Sequence, residues 1–266
     1  MNLARIDKRW IYLLLLVAVT VPLVVKMKLP VRVSSETQVV FDAIDQVPEG
    51  NFIILSFDIE ASSLPEIQPI ADAITRHAFS RNLKVVGLAL FSEGTAIGYN
   101  VLSTIARRYD KEYGRDFIYL GFRPQYVSAI LGIGENIAGV FPLDYLNNDW
   151  TELANFSELK DYSDIDLVVS LADGGLPTYW VEYAGSRYHQ KVTTGLTAVM
   201  ATSYFPYTAS GQLTGLVGGL KGAAEYEKLL GYVGGGQRGM LAQSSGHLLI
   251  IVLVILANVA AFWKRS

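Results

Sequence analysis

Two long apolar segments stand at the two ends of this 266-residue chain and constrain its fold more than any other feature. The first runs from Trp10 to Val25 and the second from His247 to Trp263, and neither contains Asp, Glu, Lys or Arg. A helix of this composition satisfies its own backbone hydrogen bonds in lipid and is unfavourable in water. We therefore predict two transmembrane helices, at 10–29 and 247–263, which hold a water-exposed domain by both of its ends.

Each apolar segment has an alternative interpretation. The first could be a cleavable signal peptide, but cleavage requires small residues, and the segment is followed by Val24-Val25-Lys26-Met27-Lys28. The second could be a buried core helix, but it ends in Trp263-Lys264-Arg265, and an interfacial Trp followed by cations is typical of a membrane exit. Both segments are therefore interpreted as membrane anchors.

The flanking cations predict the orientation of the chain. Cytoplasmic flanks of membrane helices carry an excess of Lys and Arg. Here the short outer flanks contain more cations than the inner flanks. This predicts cytoplasmic tails at 1–9 and 264–266 and an extracytoplasmic domain at 34–231. A glycine-rich joint at 232–246 is predicted to follow the domain. The absence of cysteine is compatible with an oxidising compartment. The outer cations are Arg5, Lys8, Arg9, Lys264 and Arg265, and the inner ones are Lys26, Lys28, Arg32 and Arg238.

The segment between the anchors is acidic. Residues 34–245 contain 14 Lys and Arg against 24 Asp and Glu, a formal charge of −10. A domain with this charge has no electrostatic attraction for a phosphate backbone, so nucleic acid is excluded as a partner. The predicted partners are the membrane bilayer and either other membrane protein subunits or a second copy of this chain.

Short apolar runs alternate with helical patterns along the middle of the chain. Strands that are apolar on both faces and separated by helices belong in a mostly parallel sheet covered on both sides. We predict an α/β domain of Rossmann-like, three-layer architecture. The predicted strands are 52–59, 84–91, 116–122, 166–171 and 192–200, and the main predicted helices are 34–47, 65–81, 95–109, 125–137 and 210–230.

Polar residues follow the predicted strands, and ligands of such sheets bind beyond the carboxyl ends of the strands. The candidate ligand-binding residues are Asp58, Glu60, Ser92, Glu93, Thr95, Arg123 and Asp173. Carboxylates from several strands could hold Mg²⁺ or Ca²⁺, which prefer oxygen ligands. Rim carboxylates that are solvated or that cap helices are the plainer alternative.

Part of this set resembles a von Willebrand factor A domain. The matching pieces are Asp58-Ile-Glu60-Ala-Ser62, Glu93-Gly94-Thr95 and Ala172-Asp173-Gly174. The resemblance implies a single metal site built from an Asp-x-Ser-x-Ser signature, a later Thr and a later Asp. This chain departs from the pattern because Glu60 replaces the first serine and about 78 residues separate Thr95 from Asp173.

Ser92, Asp173 and His189 follow the chain order of an α/β-hydrolase triad. The nucleophile turn of that fold requires Gly-x-Ser-x-Gly, whereas this chain has Leu90-Phe-Ser-Glu-Gly94 and lacks the first glycine. Glu93 would also place a negative charge beside a developing oxyanion. The sequence therefore contains no complete catalytic motif.

Glycines recur four apart between residues 211 and 222. Glycine destabilises a helix by about 1 kcal/mol relative to alanine, so five of them require a compensating contact. Three explanations remain open: a helix face that packs against a partner subunit, a backbone site for an anion, or close packing against the domain's own sheet. The candidate interface residues are Gly211, Gly215, Gly218, Gly219 and Gly222.

Three functions fit these features. The sequence favours a two-pass, non-catalytic accessory or scaffold subunit of a membrane assembly, because it has two anchors and no complete catalytic motif. The alternatives are a ligand-binding sensor or receptor module that uses the strand-end rim, and a membrane-bound hydrolase or metal-dependent enzyme.

Overall fold

A computed structural model describes residues 7–25, 27–28 and 30–263 and contains a six-stranded parallel sheet with the strand order β3-β2-β1-β4-β5-β6. This confirms the predicted α/β fold with a parallel, Rossmann-like sheet. The strands are β1 Phe52–Asp58, β2 Lys84–Ala89, β3 Phe117–Phe122, β4 Ile165–Ala172, β5 Val192–Leu196 and β6 Leu216–Gly218. The helices are α1 Lys8–Val24, α2 Ser35–Asp45, α3 Leu64–Ser80, α4 Gly94–Ala106, α5 Tyr126–Ile133, α6 Ile137–Val140, α7 Leu176–Tyr179, α8 Ser186–Tyr188, α9 Ala198–Ala209, α10 Gly219–Leu229 and α11 Gly235–Trp263.

Two separate apolar cores explain why the strands have no polar face. Successive strand residues point to opposite sides, so a strand buried on both sides must be apolar throughout. One core lies between the sheet and helices α2, α3, α4 and α10, and it contains Ile44, Ile74 and Tyr226. The other lies on the opposite face, where α5, α9 and the intervening loops contribute residues such as Trp150 and Trp180.

The structure corrects the predicted elements after residue 192. The predicted strand 192–200 ends at Leu196, because the Thr197 side chain accepts a hydrogen bond from the Met200 backbone and caps α9, which the sequence pattern did not predict. The predicted helix 210–230 is also wrong. It consists of a turn at Gly211 with φ +75°, the short strand β6, and α10.

The five glycines predicted to form a subunit interface therefore do not lie on one helix face. A side chain at Gly215 would meet the Glu36 carbonyl of α2 at 2.9 Å, and one at Gly222 would meet Val217 at 2.9 Å. Gly219 has φ +57° where β6 turns into α10, and Gly218 packs against Ala201. These positions serve close packing inside the domain, and Gly211 lies in an open turn.

The C-terminal apolar segment forms one long helix. Among the described residues, one helix is long and apolar enough to cross a membrane: Gly235–Phe262, in which an 18-residue stretch has a mean hydropathy of 2.3. The prediction of a glycine-rich joint at 232–246 is wrong, because helix α11 begins at Gly235 and continues through this segment without a break. The cause is a cap from within the domain, since the buried Glu227 carboxylate accepts hydrogen bonds from the backbone N–H groups of Gly234, Gly236 and Gln237.

The N-terminal apolar segment forms α1, a helix of 17 residues that packs against α11. Val19 lies beside Gly246, and the Arg238 guanidinium donates to the Leu23 carbonyl at 3.4 Å, so the two helices are antiparallel. Most of the predicted terminal tails lies outside the described residues, including Arg5, Lys264 and Arg265, and so does Lys26 of the inner flank.

Candidate functional site

The carboxyl ends of β1 and β4 define the topological switch point of the sheet. The connections after β1 and β2 form α3 and α4 on one face, whereas the connections after β4 and β5 lie on the other face. The loops after β1 and β4 therefore leave the sheet in opposite directions. Open α/β sheets bind ligands beyond the carboxyl ends of two such strands, and we call this position the crevice. Of the sequence-predicted residues, Glu60, Glu93 and Asp173 are brought together here.

Hydrogen bonds from two carboxylates fix the loop after β1. The Asp173 carboxylate accepts from the Glu60 backbone N–H at 2.8 Å and from the Ser63 hydroxyl. The Glu93 carboxylate accepts from the Ala61 backbone N–H at 3.0 Å. Both carboxylates thus cap the 3₁₀ turn Ala61–Ser63, which leads directly into α3.

This capping determines which ligands the crevice can accept. In dinucleotide-binding sheets, free N–H groups at the start of the first helix hold a phosphate. Here Asp173 and Glu93 already occupy the N–H groups of Glu60 and Ala61. An anionic ligand would have to displace two negative side chains, so the crevice disfavours phosphates.

Asp58 lies below the crevice at the end of β1 and is buried. Its carboxylate accepts from the Leu90 backbone N–H at 2.8 Å and from the Ser56 hydroxyl at 2.7 Å, with the Ser170 hydroxyl and the Trp180 indole N–H each at 3.4 Å. Burial raises the pKa of Asp58 to about 6, although all four hydrogen bonds lower it. Asp58 thus links β1 to β4 and to the residue that follows β2, and its side chain is buried.

We expect Asp58→Asn to remove a pH dependence of stability. Because the folded-state pKa of about 6 lies above the reference value of 3.8, the folded chain binds this proton more tightly, and stability is lost as the pH rises through 6. The parent should gain about 2 kcal/mol relative to the variant between pH 7 and pH 4. Urea unfolding of both full-length proteins in non-ionic detergent measures the difference. A parent-minus-variant difference that is equal at both pH values would contradict the assignment.

The remaining predicted ligand residues lie around the crevice or away from it. Ser92 is exposed in the loop after β2, and the Thr95 hydroxyl in the first turn of α4 is buried without a hydrogen-bond partner among the described residues. Arg123 follows β3 and stacks over the Phe141 ring at 5.5 Å, outside the capped loops. Among the described residues, no group of three or more His, Cys, Asp or Glu side chains could hold a metal ion, and Mg²⁺ or Ca²⁺ binding stays a prediction.

The triad order of Ser92, Asp173 and His189 has no structural counterpart. His189 precedes β5 and therefore lies at the amino end of the sheet, whereas Ser92 and Asp173 follow the carboxyl ends of β2 and β4. The hydrolase hypothesis built on these three residues is wrong for that reason. The residues that resemble the von Willebrand factor A pattern also do not form one cluster. Asp58 is buried below the rim, where its carboxylate accepts hydrogen bonds from neighbouring residues.

Sequence reasoning missed the partners of Asp58. Ser56, Ser170 and Trp180 converge on its carboxylate from β1, β4 and the π-helical segment Trp180–Gly185. The available signal was a serine inside each of two strands that are apolar over most of their length, since a buried hydroxyl requires a partner. Nothing in the sequence indicated which acceptor the two serines share.

Comparisons with known proteins identify no family for this chain. A scan against protein-family models and a search of curated proteins each found no match. One matching solved structure is the C-terminal domain of a glycosyl transferase group 1 family protein (LpcC) from Francisella tularensis; the match has 15% identity and a TM-score of 0.37, and it covers 82% of this chain and 92% of that chain. None of these comparisons supports the predicted non-catalytic accessory or scaffold subunit, and that prediction is not retained. The likeness is too distant to transfer that protein's activity or substrate to this chain.

Proposed function

We propose that this protein is a membrane-tethered enzyme whose reaction site is the crevice at the β1/β4 switch point, with Glu60 as its acid–base group. One observation carries the proposal. The Glu60 backbone is fixed by Asp173, while its exposed carboxylate makes no hydrogen bond or ion pair among the described residues. The other two rim carboxylates, Glu93 and Asp173, are engaged in capping. The Glu60 backbone is thus held in place, and its carboxylate is available to contact a ligand.

The surroundings of Glu60 favour a neutral substrate that carries hydroxyl groups. A positioned carboxylate can remove a proton from a substrate hydroxyl as a general base. Ser62, two residues after Glu60, and Ser92, next to the Glu93 that caps the same loop, are exposed and offer additional hydroxyls that can bond to such a substrate. Gly174 and Gly175 leave open space on the β4 side, because a side chain at either would contact no atom within 4 Å. Phosphate-bearing substrates are disfavoured by the capped N–H groups.

The tether in this proposal is a two-pass hairpin. The antiparallel packing of α1 on α11 supports it, because two antiparallel spans bring both chain termini to the same side of a membrane. The excess of cations on the outer flanks favours a cytoplasmic location for both termini and an extracytoplasmic domain. The bilayer is the proposed partner, and the charge of −10 over residues 34–245 argues against nucleic acid.

Covalent labelling with a cyclitol epoxide tests the role of Glu60. A reactive carboxylate opens the epoxide and forms an ester, which peptide mass spectrometry locates. We expect the full-length protein in detergent to be modified at Glu60 at least ten-fold faster than at Glu158, an exposed carboxylate far from the crevice.

Two further results would decide the test. Glu60→Gln should abolish labelling of that peptide and leave the thermal midpoint unchanged, because the side chain makes no contact that stabilises the fold. Equal labelling of Glu60 and Glu158, or thermal stabilisation of the parent by nucleoside diphosphates, would contradict the proposed site and its substrate class.

A further inference from the structure

The path of α11 shows which side of the domain is nearest to the membrane. Helix α10 begins just after β6, at the carboxyl edge of the sheet, and it runs parallel to α3, since Gly219 lies beside Glu66 and Tyr226 beside His77. Helix α11 then runs the opposite way along α10, with Gly236 against Ala223 and Gly239 against Leu220. The long apolar helix therefore leaves the domain past the carboxyl ends of the strands.

The distance from this edge to the lipid is short. His247, where the strongly apolar part of α11 begins, follows Gly239 by eight residues, which is about 12 Å of helix. Ala198, at the start of α9, packs against Gly219, and its N–H donates to Glu66 at 2.9 Å. The first turn of α9 therefore lies beside the point where α11 leaves the domain.

The exposed apolar side chains of the domain are concentrated on the same edge. Outside α1, α11 and the segment that follows α1, seven large apolar side chains are exposed among the described residues, and five of them lie at or beside the carboxyl ends of strands. Val199, in the first turn of α9, is 79% exposed, and Phe122 ends β3. Leu143, Tyr145 and Leu146 lie in the loop beside the carboxyl half of β3, where Tyr145 covers Gly121. The other two are Val39 and Phe205.

We propose that the carboxyl edge of the sheet docks on the lipid surface, with Val199 at one end and the Phe122–Leu146 cluster at the other. The bilayer is the occupant because α11 carries this edge toward it and because exposed apolar side chains gain free energy by entering the interface. Glu60, Glu66, Glu93 and Asp173 lie along the same edge, so the surface suits zwitterionic lipid better than anionic lipid. The docked edge places the crevice against the headgroups. This inference concerns an interaction surface and does not depend on the role of Glu60.

Depth-dependent quenching of single-cysteine variants tests the docking, and the chain has no native cysteine to remove. Val199→Cys, Phe122→Cys and Leu146→Cys would each carry an environment-sensitive fluorophore in the full-length protein reconstituted in phosphatidylcholine vesicles. The matched controls are Gln46→Cys and Gln212→Cys, exposed positions near the amino ends of the strands. We expect quenching by shallow nitroxide lipids to be at least two-fold stronger at the three edge positions than at the controls.

The other outcomes overturn the docking. Quenching at Val199 alone would reflect only its nearness to α11 and would leave the β3 end of the edge away from lipid. A blue-shifted probe that nitroxide lipids do not quench would show that protein, either a second copy of this chain or another subunit, covers the edge. Equal quenching at edge and control positions would show that the domain has no fixed face toward the bilayer.

Discussion

Replacing Gly94 with alanine is expected to destabilise the domain by on the order of 4 kcal/mol or more. Gly94 is the first residue of α4, and an added Cβ would lie 1.7 Å from the Phe57 carbonyl oxygen and 2.8 Å from its carbonyl carbon. Both obstacles are backbone atoms of the central strand β1, so neither can move without disturbing the sheet. Thermal unfolding of the full-length protein in detergent, with the yield of folded protein, measures the effect.

Gly175→Ala is the matched control for this prediction. Gly175 precedes α7 with φ −83°, which any residue can adopt, and an added Cβ would meet no atom within 4 Å. This variant should change the stability by less than about 0.5 kcal/mol. If Gly94→Ala retained the parent's thermal midpoint, the close approach of α4 to β1 would be wrong.

Replacing Glu227 with alanine should reduce stability by about 4 kcal/mol. The carboxylate is 1% exposed and accepts from Gly234 at 3.0 Å, Gly236 at 2.7 Å and Gln237 at 2.9 Å. Its removal leaves N–H donors at the start of α11 without their acceptor in a buried site, and such groups are expensive to leave unpaired. Thermal unfolding gives the total effect, and hydrogen exchange at residues 234–237 locates it.

Two comparisons make the Glu227 prediction specific. Glu227→Gln keeps one acceptor oxygen and should lose about half as much stability. Glu158→Ala removes an exposed carboxylate and should have little effect. Loss of exchange protection across the whole domain, without earlier loss at residues 234–237, would argue against a local cap.

The sequence predicted the fold well wherever an apolar run was bounded by strong turn signals. The predicted strands 52–59, 84–91 and 166–171 correspond to β1, β2 and β4. They are apolar over most of both faces, and a parallel sheet covered on both sides requires this pattern. Prediction failed between Val192 and Leu230, where strands β5 and β6 have only five and three residues. In that region the glycines are required by tertiary contacts, such as the approach of Gly215 to α2, which no local pattern contains.

The candidate site was predictable in its location and only partly in its chemistry. Parallel strands bring their carboxyl ends to one edge, so Glu60, Glu93 and Asp173 could be grouped from the sequence. Their roles could not be predicted from the sequence, because a carboxylate that binds a ligand and a carboxylate that caps a turn are the same residue types in the same loops. Only the geometry separates Asp173 and Glu93, which hold backbone N–H groups, from Glu60, which does not.

Helix α10 carries two buried carboxylates that point in nearly opposite directions, since residues two apart differ by about 200° around a helix. Glu227 holds the start of α11, whereas Glu225 accepts from the Ser34 backbone N–H at 3.1 Å and its hydroxyl at 2.6 Å, which fixes the start of α2. Helix α10 thus holds both chain segments that lead to the apolar hairpin of α1 and α11. A rotation or a change of tilt of one hairpin helix relative to the other would therefore act on α10. The contacts of α10 with α3 would transmit this movement to the central strands of the sheet.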